Sequence, residues 1–472
     1  MNDNGGNKTA GHFTMNVAGQ SASPTSFPGV ESPGTSVTLN AGSYSVSETG
    51  LAGYDDSYST DCSGEIAVGE TKTCTVTNDD VAPTITVIKN VVNNSGGTAG
   101  ANDFGLKVDT TTVNSGQTLT VNANHAYAID EAGKTGYQFV SITGTGCPTT
   151  LGGTATLNPG QNITCTIKND DIPAQVTVTK YNDKNGNGQR DSGEPVLSGW
   201  TFFIDANKNG TKDSGETSAT TGATGQVTFA NLSAGQNLQI CEVIQATWAN
   251  TDPGGSKPCE MTGTLSLNQQ VNLEFGNRRF LQTGAKTIGF WQNKNGQGII
   301  KNYCQPTGKQ YLRDFLRQYA PFQDLSATAT CTQIATYVYN IIKAADSSGS
   351  SMNPMLKAQM LATALDVYFS TSTLGGNRIN APAAIGNVVI DLTQVCTMID
   401  KSDGSASCGG SFKDVGEVAF GGADSMTVSQ MLSYAGNQSN VGGSLWYANT
   451  KSTQEAAKDA FDAINNQAAF GP

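Results

Sequence analysis

The sequence predicts three all-β sandwiches followed by a mostly α-helical C-terminal domain, on three observations. Up to about residue 280, short runs such as V-T-V-T-K (Val176 to Lys180) and T-C-T-V-T (Thr73 to Thr77) alternate between apolar and polar residues and end in Gly/Asn turns, the pattern of antiparallel strands with one buried face. Within this stretch the text repeats. MNDNGGNKTAGHF at the start aligns with VNNSGGTAGANDF at Val92 to Phe104, and CTVTNDD from Cys74 aligns with CTIKNDD from Cys165, both 91 positions on. Beyond about Phe280 the apolar residues take helical spacing instead.

The repeat divides the β region. Residues 1–82 and 83–173 are two copies of one domain, 174–280 a third β domain, and 281–472 a mostly helical domain stapled by disulfides. The joints NDDVAPT (Asn78 to Thr84) and NDDIPAQ (Asn169 to Gln175) are short and contain proline, so the β domains are expected to stack as a semi-rigid rod. The second copy opens with a strand, TITVIKN (Thr84 to Asn90), that the first copy lacks, and Met1 falls where that strand would just have ended. Two readings follow: a fragment that begins inside a domain of a longer secreted protein, or an open β-edge completed by a strand from another molecule. The second implies self-association through domain one, as in a filament subunit.

In the C-terminal region, KQYLRDFLRQY places Leu312, Phe315, Leu316 and Tyr319 on one helical face, and CTQIATYVYNIIKAAD does the same with Ile334, Tyr337, Val338, Ile341 and Ile342. NPMLKAQMLATALDVYF opens with Asn353 as expected cap and Pro354 at the first helical position. DLTQVCTMIDK, TVSQMLSYA and STQEAAKDAFDAINNQ extend the helical reading.

Composition sets the environment. Of 472 residues 55 are Gly and only 14% are charged, with net charge −12 and pI about 4.7. That excludes a nucleic-acid partner and suits a cation-binding surface. No apolar run reaches the length of a membrane span, and residues 1–20 show no signal peptide. The ten cysteines fall as neighbouring pairs: Cys62/Cys74, Cys147/Cys165, Cys241/Cys259, Cys304/Cys331 and Cys396/Cys408. An even count without C-x-x-C favours disulfides and an extracellular or cell-surface location. Connectivity stays open in the C-terminal domain, where four cysteines allow three pairings.

Two oxygen-rich loops stand out. DKNGNGQRDSGE places Asp183, Asn185, Asn187, Gln189, Asp191 and Glu194 at loop positions 1, 3, 5, 7, 9 and 12, and DANKNGTKDSGE repeats this with Asp205, Asn207, Asn209, Thr211, Asp213 and Glu216. Gly188 and Gly210 occupy position 6. A hard cation needs about six to eight converging oxygens, so this spacing predicts two Ca2+ sites; the alternative is a pair of solvated turns. The flanks QVTVTKYN and GWTFFI are strand-like rather than helical. In VTKYNDKNGNGQRDSGEPVLSGWTFFI and TTGATGQVTFANLSAGQNLQICE the segment resembles the calcium-binding B-type repeats of Gram-positive serine-aspartate surface adhesins. That resemblance implies structural calcium that stiffens a stalk.

The β domains share a further skeleton: Lys89, Glu131 and Asn169 in domain two, Lys180, Glu242 and Asn277 in domain three, and Glu48 with Asn78 but no lysine in domain one. This arrangement resembles collagen-adhesin B-type and pilin domains with a transthyretin-like (prealbumin-like) sandwich. The resemblance implies an amide bond from the first-strand lysine to the last-strand asparagine, assisted by the glutamate: Lys89 to Asn169 with Glu131, and Lys180 to Asn277 with Glu242. Burial makes a lysine lose its proton more readily and raises a carboxyl pKa, which is what such a reaction requires. The same residues also read as a surface lysine, a strand-end glutamate and a turn asparagine.

The opening of the helical domain, GFWQN at Gly289 to Asn293, resembles a G-F/Y-W-x-N segment of bacterial secreted and surface proteins, with no activity implied; Trp291 and Phe290 are expected to pack in the core. The two histidines, His12 and His125, lie in the β repeats, which leaves the helical domain without a His-based triad or zinc site. Asp366, Asp391, Asp400 and Glu417 are isolated carboxylates, expected on solvated helix faces. The function expected is that of an adhesive or structural surface stalk, not an enzyme, with a host or environmental surface ligand or glycan as partner. The alternative is a secreted carbohydrate-active enzyme or glycan-binding protein with β spacers.

Overall fold

The computed structural model describes residues 1–254, 257–345, 348–400 and 406–472. The chain forms two compact units: Met1–Gln175 with Ala230–Gln236 and Thr264–Gln270, and Val176–Phe229 with Asn237–Gly263 and Val271–Pro472.

In the first unit, the first repeat comprises β1 (Thr14–Ala18), β2 (Ser26–Pro28), β3 (Gly42–Thr49), β4 (Tyr54–Tyr58), β5 (Ser63–Ile66) and β6 (Val76–Asp80). The second comprises β7 (Thr84–Val92), β8 (Gly105–Val108), β9 (Thr111–Val113), β10 (Thr118–Thr120), β11 (Ala126–Ala132), β12 (Tyr137–Thr143), β13 (Gly153–Thr156) and β14 (Asn162–Asp171). The second repeat closes two four-stranded sheets, β10-β7-β14-β12 and β13-β11-β8-β9, over a core of Ile85, Val87, Leu106, Ile129, Ile163 and Ile167. In the first repeat one sheet is equivalent, β2-β1-β3-β5, but the other holds only β4 and β6.

Strand period explains which polar residues enter the core. Along β7, Ile85, Val87 and Lys89 alternate inward, and along β14 Ile163, Cys165, Ile167 and Asn169 do so. Lysine and asparagine are therefore buried because they continue an apolar face.

The third β domain, most of it in the second unit, comprises β15 (Ala174–Asn182), β16 (Thr201–Ile204), β17 (Ser218–Thr220), β18 (Gln226–Leu232), β19 (Asn237–Glu242), β20 (Trp248–Asp252), β21 (Cys259–Thr264) and β22 (Gln270–Arg279). Its sheets run β18-β15-β22-β20 and β17-β16-β19-β21. The expected third sandwich is present, and strands flank both oxygen-rich loops.

Helices concentrate after residue 280: α1 (Ile288–Gln292), α2 (Lys294–Tyr303), α3 (Leu312–Leu316), α4 (Cys331–Lys343), α5 (Asn353–Ser370), α6 (Gly416–Ala419), α7 (Val428–Asn437) and α8 (Lys451–Asn465). Nearly all of α5 is buried, so it forms the centre of this core. Three sequence expectations are corrected. DLTQVCTMIDK contributes strands, β23 (Val389–Asp391) and β24 (Val395–Asp400), paired with β26 (Ser425–Thr427) and β25 (Ala406–Lys413); Lys401 lies outside the described residues. α3 is one turn and a half, although Leu312, Phe315, Leu316 and Tyr319 all reach the core; Pro321 lies just beyond it, in a 3₁₀ turn. The cap of α5 is Met352, with Asn353 and Pro354 inside its first turn.

All five neighbouring cysteine pairs form disulfides: Cys62–Cys74, Cys147–Cys165, Cys241–Cys259, Cys304–Cys331 and Cys396–Cys408. Of the three pairings open to the last four cysteines, the chain adopts the local one. The two staples of this region differ from one another. Cys304, at the end of α2, and Cys331, the first residue of α4, tie two helices together. Cys408 lies on strand β25, opposite Met398, and its disulfide to Cys396 clips β25 to β24. Cys408 packs beside Met398 and Phe412 against Ala249, Phe280, Ala468 and Phe470. Among the described residues no helix is long and apolar enough to cross a membrane.

Candidate functional site

In the second repeat, β7, β11 and β14 bring Lys89, Glu131 and Asn169 together. Lys89 Nζ bonds Glu131 Oε2, and Asn169 Nδ2 donates to Glu131 Oε1 over 2.6 Å. The Lys89 and Glu131 side chains are 0% and 1% exposed. The ammonium also lies 4.0 Å above the Phe104 ring. Burial lowers the lysine pKa, against the opposing pull of Glu131. Asn169 Oδ1 is buried without a partner among the described residues.

The third domain repeats the arrangement with β15, β19 and β22. Lys180 Nζ lies 2.7 Å from Glu242 Oε2, both side chains fully buried, though off the angles of a hydrogen bond. Trp200 replaces Phe104 as the ring beneath the amine, 4.6 Å away. Desolvation pushes Lys180 down to about 8 and raises Glu242, which Lys180 draws back in part. Asn277 is fully buried, its Oδ1 accepting from Asn250 Nδ2 at 3.3 Å while its Nδ2 has no partner among the described residues. Asn250 also reaches Glu242 Oε1 at 3.4 Å.

Sequence reasoning missed Phe104, Trp200 and Asn250. The aromatic was legible in the repeat, since Phe13 and Phe104 end the aligned segments. Asn250 enters from β20 with no sequence signal.

The oxygen-rich loops share one geometry. Asp183 is 0% exposed and accepts from the N–H groups of Gly186, Asn187 and Gly188 at 2.6–3.2 Å. Asp205, 2% exposed, accepts likewise from Asn209 and Gly210. Gly188 and Gly210 have φ of +74° and +77°, the left-handed turn expected at position 6. Asn185 and Asn187 converge on Asp191 Oδ2 at 2.9 and 2.7 Å, and Asn207 and Asn209 on Asp213 Oδ2 at 2.7 and 2.8 Å. These amides hold Asp191 below the usual carboxylate range. Glu194 and Glu216 close the loops by accepting N–H groups from both ends, Lys184 and Asp191 in one, Ala206 and Asp213 in the other. Gln189 and Thr211 enter through backbone N–H groups, which donate to Asn187 Oδ1 and Asn209 Oδ1. Amides that meet on one carboxylate oxygen present their own oxygens when turned about χ2, so the donor set fits a hard cation.

In the helical region, Trp291 is fully buried, stacked on Phe369, and donates to Asp366 Oδ1 at 3.1 Å. The expected core role of Trp291 is met. Asp366 is fully buried rather than solvated, and also accepts the Lys286 N–H at 3.0 Å. Asp391 lies on β23 and binds Arg278 at 2.8 Å, Asp400 ends β24, and Glu417 is exposed on α6. Glu417 thus meets the expectation of a solvated helix face, whereas Asp366 and Asp391 are buried and Asp400 lies exposed on a strand.

Residues 1–82 and 79–167 match the family model of the prealbumin-like fold domain. No curated protein matches the chain in sequence. Similar solved structures include the Bacillus anthracis TIE protein (13% identity, 56% of this chain and 47% of that chain, TM-score 0.30). The major pilin subunit BcpA of Bacillus cereus is similar over 57% of this chain and 94% of that one (13% identity, TM-score 0.22). Two B repeat units of the collagen-binding protein of Staphylococcus aureus are similar over 59% and 72% (15% identity, TM-score 0.15). The chain spans less than half the length of the first of these. Two β-repeats 91 positions apart, built on one sheet plan and each matched by the same model, make residues 1–167 a tandem pair of prealbumin-like fold domains.

Proposed function

We propose that the chain is part of an extracellular bacterial surface stalk, structural or adhesive, organised as domains 1–82, 83–173, 174–280 and 281–472. Its stiffness comes from disulfides, from Ca2+ in the loops 183–194 and 205–216, and from amide bonds joining Lys89 to Asn169 and Lys180 to Asn277. The helical domain is the part presented to a surface ligand or glycan. The prealbumin-like repeats support this reading.

One observation carries it: a single buried carboxyl, Glu131, touches both the amine of Lys89 and the amide nitrogen of Asn169. Burial favours the neutral amine, whose lone pair attacks Asn169 Cγ. Glu131 takes the proton from the amine and passes it to Nδ2. The Cγ–Nδ2 bond breaks, ammonia leaves and the new Nζ–Cγ amide remains. Each centre reacts once and turns over no external substrate. Calcium, held by the carboxylates and amides of its loop, supplies charge neutralisation that fixes the loop between its flanking strands.

The test is the intact mass of the denatured, reduced and chelated protein. Two ammonias fewer than the sequence requires supports both crosslinks; a mass equal to the plain sequence overturns them.

A further inference from the structure

The centres of the second and third β domains differ in one buried side chain. In the third domain Asn250, 2% exposed, enters from β20 directly opposite Asn277 on β22. Its Nδ2 donates to Asn277 Oδ1 at 3.3 Å and reaches Glu242 Oε1 at 3.4 Å. The same register position in the second repeat, opposite Asn169, is held on β12 by Phe139, which is 36% exposed. Asn169 Oδ1 accordingly has no partner among the described residues. Both strands carry a bulge just beyond this position, after Asn250 and after Phe139. The scaffold is common, and the side chain it aims is what changes.

The Asn250 amide is held by its own segment. Gly254 N–H donates to Oδ1 at 2.9 Å, and Nδ2 donates to the Asp252 carbonyl at 2.8 Å. A backbone N–H needs an acceptor, so the oxygen must face Gly254 and the nitrogen must face Asn277. Tied to backbone at both ends, this amide is a fixed dipole inside a buried site. Asn277 Nδ2, by contrast, has no partner among the described residues and is free to depart.

The aim of that dipole matches the chemistry. When a neutral amine attacks an amide carbon, negative charge collects on the amide oxygen, and a donor already directed at that oxygen lowers the barrier. We propose that Asn250 is a catalytic residue of the third-domain crosslink, its Nδ2 stabilising the oxyanion that forms on Asn277 Oδ1. The lone pair of Lys180 Nζ attacks Asn277 Cγ, and the carbonyl electron pair moves onto Oδ1 against the Asn250 N–H. The pair then returns, the Cγ–Nδ2 bond breaks, and Glu242 carries the proton from the amine to the departing ammonia. The second repeat performs the same step without this donor.

This role rests on the reading given for Lys180 and Asn277. To test it, the whole chain is taken from a short cell-free synthesis into acidic urea, before the links close. It is then refolded with Ca2+ in buffers of graded pH and quenched at intervals, and tryptic peptides report the two links separately. Asn250→Ala is expected to slow the Lys180–Asn277 link about a hundredfold and to leave the Lys89–Asn169 link at its wild-type rate. Asn250→Leu, which keeps the volume and excludes water, is expected to do the same. In both variants the rate is expected to rise with pH through the wild-type midpoint, set by the Lys180 amine, to a lower plateau. A centre merely loosened and wetted would instead move that midpoint up toward the ordinary lysine value. Unchanged Lys180–Asn277 rates, a midpoint moved upward in both variants, or a link mapped from Lys180 to Asn250 overturns the role given to Asn250. A wild-type chain that never forms the Lys180–Asn277 link overturns the underlying reading, and this role with it.

Discussion

Asn169 donates its amide to one oxygen of Glu131, while the other oxygen of that carboxyl holds Lys89. The amide that would lose ammonia and the amine that would replace it therefore share one proton carrier, out of solvent. Glu131→Gln keeps the size and removes the carrier. The mass of this variant is expected to fall short of its own sequence mass by one ammonia instead of two, with the third domain's bond intact. Tryptic peptides linking Lys89 to Asn169 in Glu131→Gln would contradict the role given to the carboxyl.

Lys180 makes a pH prediction in a protein that cannot crosslink. In Asn277→Ala the amine stays free; its folded-state pKa is about 8 against an ordinary 10.5. Between those values the unfolded chain binds more protons than the folded one, so stability rises with pH. The rise from pH 8 to 10.5 amounts to about 3 kcal/mol at most. Urea denaturation of Asn277→Ala across that range is expected to show it, and adding Lys180→Met is expected to remove it. Equal slopes in the two variants would mean that Lys180 is not the titrating group.

Calcium is expected to stabilise the second unit, where both loops lie. A ligand at a hundredfold its Kd adds about 2.7 kcal/mol per site. Scanning calorimetry with Ca2+ and then with chelator is expected to show a transition that moves down on chelation. Because Glu194 and Glu216 each tie both ends of a loop, Glu194→Gln and Glu216→Gln are each expected to remove about half of the shift. The first loop has an added consequence: the Gly186 carbonyl accepts from Gln394 Nε2 at 2.8 Å. Fixing this loop therefore also fixes a contact with the helical region.

Much of this was legible because the β repeats follow a period of two. Once Ile85 and Val87 are assigned to the core, Lys89 follows them inward, and the spacing of 91 residues carries the same logic from Asn169 to Asn78. The calcium loops were legible because their donor atoms lie within one short segment each. The helical region was less so. In DLTQVCTMIDK the apolar residues satisfy a helical period and a strand period about equally over so short a run, and pairing with β25 and β26 decides for strands. The pairing of Cys396 with Cys408 was visible as a spacing, but that it clips two strands follows only from that ladder. Asp366 looked like an ordinary surface acid because its partners, Lys286 and Trp291, lie 80 and 75 residues away.

That buried acid gives the last prediction. Burial raises the Asp366 pKa well above the ordinary carboxylate range, against the N–H of Lys286 and the indole of Trp291. Above the ordinary value the folded protein keeps a proton that the unfolded chain loses, so stability falls as pH rises toward the folded-state pKa. Asp366→Asn preserves an oxygen for the Trp291 N–H and cannot ionise, so its stability is expected to lose this downward slope. Asp366→Ala leaves a buried indole N–H unpaired and is expected to cost about 1–3 kcal/mol at every pH. Chemical denaturation followed by the near-UV tryptophan signal across pH separates the two. If Asp366→Asn keeps the wild-type slope, the titrating group lies elsewhere in the helical core.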